Sequence, residues 1–308
     1  MISRRNIRVK VMQTLYTIHT QGMTEKPADA MRILQKHFEQ TRQLFVYLIY
    51  LITEVARYAE TDSRLRSSKH LPTDQDRNVN IKLTGNELVG RIVDDPLFKE
   101  AYQRDKPNLV ANGELVRRLY QELAETDTYK TYIGDTLRDR KSEKDILLFI
   151  LSDLMLPSES FDAHMEEIFS NWNDDGEMII QLVAAYLAKP VSANFQELIS
   201  KEKWDFAKDL LQAVLDKREM TKDLIKPKLR NWDADRIAIL DMILMEMGIC
   251  EFLFFETIPP KVTINEYIDL AKEYSTPQSG QFVNGLLDNI HKDLVLENKM
   301  HKVNFNPS

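Results

Sequence analysis

Four side chains near the start of the chain, Arg4, Arg5, Arg8 and Tyr16, have the types and spacing of a surface for single-stranded nucleic acid. Guanidiniums pair with phosphates while an aromatic ring stacks on a base. On a helix turning about 100° per residue, Arg5, Arg8 and Tyr16 fall within roughly 80° of one another, and Lys10 points elsewhere. Beside them runs an apolar stripe of Ile7, Val11, Leu15 and Ile18. No acid occurs before Glu25. A cation at a helix N-terminus faces the positive end of the dipole and is misplaced by about 0.3–1 kcal/mol. Stability alone favours acids there, which points to another use for the arginines. A solvated helix end with a half-buried tyrosine fits the same residues.

Other chemistry is hard to assemble. The chain has neither G-x-x-x-x-G-K-[ST] nor G-x-G-x-x-G, so a phosphate-binding glycine loop is not expected. It also has no H-E-x-x-H and no Glu-x-x-His pair for a di-iron bundle. One cysteine excludes a disulfide framework and any multi-cysteine zinc or iron–sulfur site. That residue, Cys250, lies in the apolar run Ile249 to Phe255 and reads as a core thiol rather than a nucleophile. No catalytic residue, cofactor or metal is expected, and the chain reads as a non-enzyme.

The elements that position these residues read as helices. The 308 residues suggest about two domains, and 43% hydrophobic with 29% charged residues is a globular balance. With only 9 glycines and 11 prolines, the chain is poor in turn formers, which argues for long helices over an all-β fold. Most apolar residues recur at helical spacing. The first helix is expected over about 4–21 and a long second one over 27–60, followed by a polar, mostly loop stretch over 61–94. Short helices follow at about 95–105, 113–125, 127–139, 143–156, 158–171 and 175–188. Ser142 to Asp145 resembles a capping box. Four or five more helices run from about 202 onward. Asp233 is a candidate N-cap for one over 234–252, Pro259-Pro260 opens one ending near Tyr274, and Thr276-Pro277 opens the last. The longest apolar run, Leu44 to Ile52, is too short for a membrane span, which needs about 20 residues. With no export signal recognised, a cytoplasmic protein with no membrane partner is expected.

The net charge of −7 argues against broad, non-specific binding of nucleic acid. Its distribution says more. Residues 1–60 carry 9 basic and 5 acidic groups, while 61–180 carry 16 and 24. Between Lys144 and Lys189 there are nine acids and no Lys or Arg. Such a surface repels RNA. It reads either as solvated helix faces or as a docking surface for a basic partner.

Two C-terminal segments are more specific. Ile258-Pro259-Pro260-Lys261-Val262-Thr263-Ile264-Asn265-Glu266 and Phe282-Val283-Asn284-Gly285-Leu286-Leu287-Asp288 occur in that order. Before them stand Phe206 to Leu211, Leu224 to Trp232 and Arg236 to Met247. Together with Arg4-Arg5-Asn6-Ile7-Arg8 and Gln13-Thr14-Leu15-Tyr16, these segments resemble the NusB family of bacterial transcription antitermination factors. The match covers about 4–21 and 202–291.

The resemblance implies an all-α, NusB-like bundle of two packed helical subdomains, carrying here an additional helical insertion. On that reading, residues 1–21 are the first helix of the NusB-like domain and 22–201 the insertion. The insertion comprises the long helix 27–60, the polar loop 61–94 and acidic helices to 189. Residues 202–298 complete the NusB-like domain, and 299–308 are a tail. The resemblance also implies binding of a single-stranded boxA element in ribosomal RNA transcripts. The partners are a small-subunit ribosomal protein (NusE) and the RNA polymerase antitermination complex. Residues carried over as RNA-binding are Arg4, Arg5, Arg8, Tyr16, Gln278, Ser279, Gln281 and Phe282. Asn265, Glu266, Asn284 and Gly285 are read as structural: the polar residues tie helices together and Gly285 admits a neighbouring helix. The chain departs from the family at Asp241, where Arg is common, at Gln278, which replaces an acid, and at Gln281, which replaces Lys.

Two other readings are a protein–protein scaffold that uses the acidic insertion without RNA, and an enzyme. The helical domain also occurs attached to ribosomal RNA methyltransferases, but those need a glycine-rich turn after a strand, and the sequence has neither.

Overall fold

A computed structural model describes residues 2–22, 26–77, 79–189, 198–229 and 237–303, apart from the side chain of Gln75. Among them the regular structure is helical throughout. The elements are α1 (Arg4–Thr20), α2 (Pro27–Ser67), α3 (Asp74–Arg77), α4 (Glu87–Asp94), α5 (Pro96–Asp105), α6 (Gly113–Glu125) and α7 (Asp127–Gly134). They continue with α8 (Arg140–Phe149), α9 (Glu159–Ile168), α10 (Trp172–Ala188), α11 (Lys201–Ile225), α12 (Ile239–Phe254), α13 (Pro260–Tyr274) and α14 (Ser279–Leu296). A π-helical stretch, Ile150–Met155, continues α8. None of these helices is long and apolar enough to cross a membrane.

The chain forms two compact units. One spans Glu39–Leu198; the other joins Ile2–Phe38 to Ile199–Ser308, so the division falls within α2. In the Glu39–Leu198 unit, Leu44, Phe45, Val46, Tyr47, Leu48, Ile49, Leu51 and Ile52 are all buried. Such a run covers every face of a helix, so α2 is enclosed on all sides over Leu44 to Ile52, with apolar residues of α4 to α10 in the same core. In the other unit the enclosed helix is α12, buried at every position from Ile243 to Phe252. It packs against α1, α11, α13 and α14. Gly248 allows this packing, because a Cβ there would stand 3.0 Å from a methyl of Leu287 on α14. The close-approach role expected of Gly285 belongs to Gly248 instead: Gly285 is exposed and a Cβ there meets nothing within 4 Å.

Several expected boundaries move. The second helix runs seven residues past Glu60, to Ser67, and the stretch read as loop also contains α3 and α4. Polar sequence misled there, because α4 buries only Leu88, Val89 and Ile92 while its cap comes from Asn86. The Asn86 side chain accepts from the N–H groups of Leu88 (2.9 Å) and Val89 (3.1 Å) and donates to the carbonyl of Glu143 (2.8 Å). Glu143 is itself buried and accepts from the Glu87 N–H (2.7 Å) and the Tyr132 hydroxyl (3.0 Å). The cap of α8 is Asp139, not Ser142 as the expected capping box required, and Glu143 reaches α4. Helix α7 stops at Gly134, where Lys82 donates to the carbonyls of Tyr132 and Asp135 (2.7 Å each) and of Leu137 (3.1 Å). The last helix begins at Ser279, past Pro277. The expected N-cap Asp233, and Arg230 to Arg236 of the quoted motifs, lie outside the described residues.

Candidate nucleic-acid interface

The N-terminal arginines divide into two kinds. Ser3 caps α1, its hydroxyl accepting from the Asn6 N–H at 3.2 Å. Arg4 and Arg5 then project outward. Arg4 pairs with Glu202 on α11 at 3.0 Å, and Arg5 with Glu273 on α13 at 2.7 Å. All four side chains are solvent-accessible, so each pair is weak and exchangeable. The glutamates also offset the unfavourable placement of cations at a helix N-terminus.

Arg8 is different, and its expected place on the RNA surface is corrected. It is 2% exposed and turned inward. Its Nε donates to Glu251 at 2.9 Å, a second guanidinium nitrogen donates to the other oxygen of that carboxylate, and a third reaches Glu266 at 3.2 Å. Glu251 also accepts from the Tyr267 hydroxyl (2.8 Å) and the Thr263 hydroxyl (3.4 Å), while Lys302 bonds the Glu251 carbonyl (2.8 Å). Burial lowers the Arg8 guanidinium pKa, but the Glu251 hydrogen bond and the field of Tyr267, Glu251 and Glu266 outweigh it, so the net shift is upward. Burial and Glu251 together push the Tyr267 phenol well up. Arg8 therefore stays charged and Tyr267 neutral, and the cluster joins α1, α12 and α13. Of the expected inter-helix ties, Glu266 makes one; Asn265 and Asn284 are exposed.

The turn between α13 and α14 carries the other candidate residues. Gln278 and Gln281 are exposed and Phe282 is half-buried. Ser279 is buried, which corrects its reading as an RNA contact. Its hydroxyl donates to Asp241 at 2.7 Å, accepts from the Thr276 N–H at 3.2 Å and lies 2.8 Å from the Thr276 hydroxyl. Asp241, where the resemblance led one to expect Arg, thus anchors this turn to α12. Arg5 reaches the same end of α13 through Glu273. The remaining candidate, Tyr16, is 40% exposed, about three turns of α1 from the outward arginines. Cys250 is fully buried, and burial pushes its thiol pKa up, which leaves it inert.

Sequence reasoning missed Glu251, Glu202, Glu273 and Asp241. One signal was legible: Glu246 and Glu251 interrupt an otherwise apolar helix, and a buried acid needs a partner.

The candidate site is thus an all-helical unit whose first helix is tied to its central one by a buried ion pair, with two arginines left outside. The model of the NusB family matches residues 165–292. The transcription antitermination protein NusB of Salinibacter ruber is 43% identical over 98 residues, 32% of this chain and 61% of the relative. That of Methylacidiphilum infernorum is 39% identical over 100 residues, 32% of this chain and 69% of the relative. That of Bacillus licheniformis is 37% identical over 106 residues, 34% of this chain and 82% of the relative. A solved structure of T. maritima NusB is 31% identical, covering 40% of this chain and 80% of its own, with a TM-score of 0.30. The chain belongs to the NusB family, and its resemblance to antitermination proteins supports a role in transcription antitermination.

Proposed function

We propose that the protein is a non-catalytic, RNA-binding antitermination factor of ribosomal RNA operons. It binds the boxA element of the nascent transcript with the small-subunit ribosomal protein NusE, as part of the RNA polymerase antitermination complex in the cytoplasm. The observation that carries this reading is the outward pair Arg4 and Arg5, each solvent-accessible and ion-paired with an exposed glutamate, in a chain of the NusB family. A phosphate can replace either glutamate with no buried group left unpaired. In this reading Arg4, Arg5 and Tyr16 engage phosphates and a base, and Gln278, Gln281 and the edge of Phe282 extend the surface. Arg8 and Ser279 hold it in place from below. Residues 39–198 form an inserted helical unit that contributes none of these residues.

Fluorescence anisotropy of a boxA-like single-stranded RNA, with and without NusE and across salt, tests this. Two phosphate contacts, from Arg4 and Arg5, predict a slope of log affinity against log salt of about −1.4. Arg4→Glu with Arg5→Glu abolishes binding in a protein that remains folded, and NusE strengthens binding to the parent. RNA affinity unchanged by the double substitution rejects the site. No binding with or without NusE rejects the function.

A further inference from the structure

The Glu39–Leu198 unit carries a groove of about 520 Å³ between α7 and α8. Its α8 side is a single helical stripe that runs through the π-helical stretch: Asp145, Ile146, Phe149 and Asp153. Thr131 and Tyr132 of α7 face it. The floor is apolar, with Ile146 and Tyr132 buried and Phe149 half-buried, and the two aspartates stand exposed along one rim. Neither aspartate is committed to a buried partner. Asp145 lies 3.4 Å from its half-buried neighbour Lys144, and Asp153 accepts from the Ser152 hydroxyl beside it. Eight residues of helix separate them, at most about 12 Å along the axis. No Lys or Arg follows Lys144 before Lys189. A π-stretch inside a helix is frequently functional. All of the groove's residues lie before residue 165, where the match to the NusB family begins.

We infer that this groove docks a cationic amphipathic helix of a partner protein. Its Lys or Arg side chains, two helical turns apart, pair with Asp145 and Asp153, and an apolar side chain between them rests on Ile146 and Phe149. The rim spacing sets the register. A helix rises about 10.5 Å over seven residues and 12 Å over eight, so cations at i and i+7 or i+8 meet both aspartates at once. Acidic and neutral helices lack that pairing, and RNA is repelled by the same rim. This docking is independent of the RNA surface.

The test uses the full chain and a fluorescein-labelled, alanine-based helical peptide with Arg at positions seven apart and Leu on the same face between them. Binding is expected in the micromolar range and weakens at least tenfold in Asp145→Lys with Asp153→Lys. It is lost when the peptide's two arginines become glutamates. That glutamate peptide regains binding with the double-lysine variant, which shows the variant to be folded and the pairing to be direct. Thr131→Arg, which leaves the aspartates intact, obstructs the groove and weakens the arginine peptide. Binding that ignores the aspartate substitutions, no binding of the arginine peptide, or failure of the swapped pair overturns the inference. So does concentration-dependent self-association of the parent chain that the double substitution abolishes, because the face then belongs to a second copy.

Discussion

The two units of this protein bury polar groups for different ends. In the unit built on α12, an ionised arginine and a carboxylate are fully enclosed, with Tyr267 and Thr263 completing the carboxylate's hydrogen bonds. In the unit built on α2, the core is aromatic and aliphatic, and one of its buried acids, Glu143, accepts from backbone and hydroxyl donors and from Arg138 at the seam of α4, α7 and α8. Charge pairing joins three distant stretches of chain in the first; in the second a largely buried Arg42–Asp105 pair (2.6 Å) ties α2 to α5, while Asn86 and Glu143 finish helix ends. A buried pair is costly to break because the survivor is left charged and dry, whereas a lost cap exposes a few N–H groups. The first arrangement holds a surface in place, and the second holds loops.

The sharpest way to break this comparison is Arg8→Met. It strands Glu251 and is expected to cost about 3–5 kcal/mol in urea unfolding. Adding Glu251→Gln, which keeps an acceptor for Tyr267, is expected to recover about half of that. A double variant no better than the single would show that the pair acts through shape and not through charge.

A second buried acid of the same unit extends the comparison to pH. Burial raises the Glu246 carboxyl from 4.5 to about 7, against the pull of Arg218 and Lys222 and with some help from Glu219. Arg218 stands 3.7 Å away and does not satisfy it fully. An acid whose pKa is higher in the folded than in the unfolded chain favours folding when protonated. Its contribution is therefore complete below pH 4.5 and lost as pH rises to 7 and beyond, by about 3 kcal/mol. Urea titrations at pH 5 and pH 8 are expected to show this loss in the parent and a flatter dependence in Glu246→Gln. Equal slopes would place the raised carboxyl elsewhere.

In the α2 unit, Asn86→Ala removes the cap of α4 and the bond to the Glu143 carbonyl. The expected cost is about 1–2 kcal/mol, less than for Arg8. A larger loss would make this seam as central as the buried ion pair. The smallest effect belongs to Arg5→Ala, expected to change stability by no more than about 0.5 kcal/mol, since its partner Glu273 is half in solvent. The same substitution is expected to weaken RNA binding severalfold in anisotropy. A stability loss near that of Arg8→Met would mean that the two arginines have the same role.

Much of the fold is legible in the sequence, because helical periodicity and turn poverty are local properties. Helix α6 falls at the expected 113–125, and α13 opens at Pro260 and ends at Tyr274 as read. The extension of α2 to Ser67 and the presence of α4 were not legible. The last turn of α2 is mostly polar, and α4 is a single short amphipathic run (Leu88, Val89, Ile92, Val93) set in polar sequence, whose cap Asn86 is held by Glu143, distant in the chain. The family too is carried by local order, in the Ile-Pro-x-Lys-Val and Phe-Val-Asn-Gly segments. The candidate surface is less legible: Arg5 and Arg8 fall on neighbouring azimuths of one helix, and periodicity assigns them alike.

What the sequence by itself determined is the helical class, the enclosed nature of the Leu44 to Ile52 run, the basic start of the chain and the family. Each depends on residue type at short spacing, which a helix converts directly into a face. Only the tertiary structure decided which arginine is inside, which glycine admits a neighbouring helix, and that Asp241 holds the turn before α14. These outcomes depend on what stands opposite. Glu251 lies 243 residues from Arg8, and no local pattern connects them until α1 and α12 pack together.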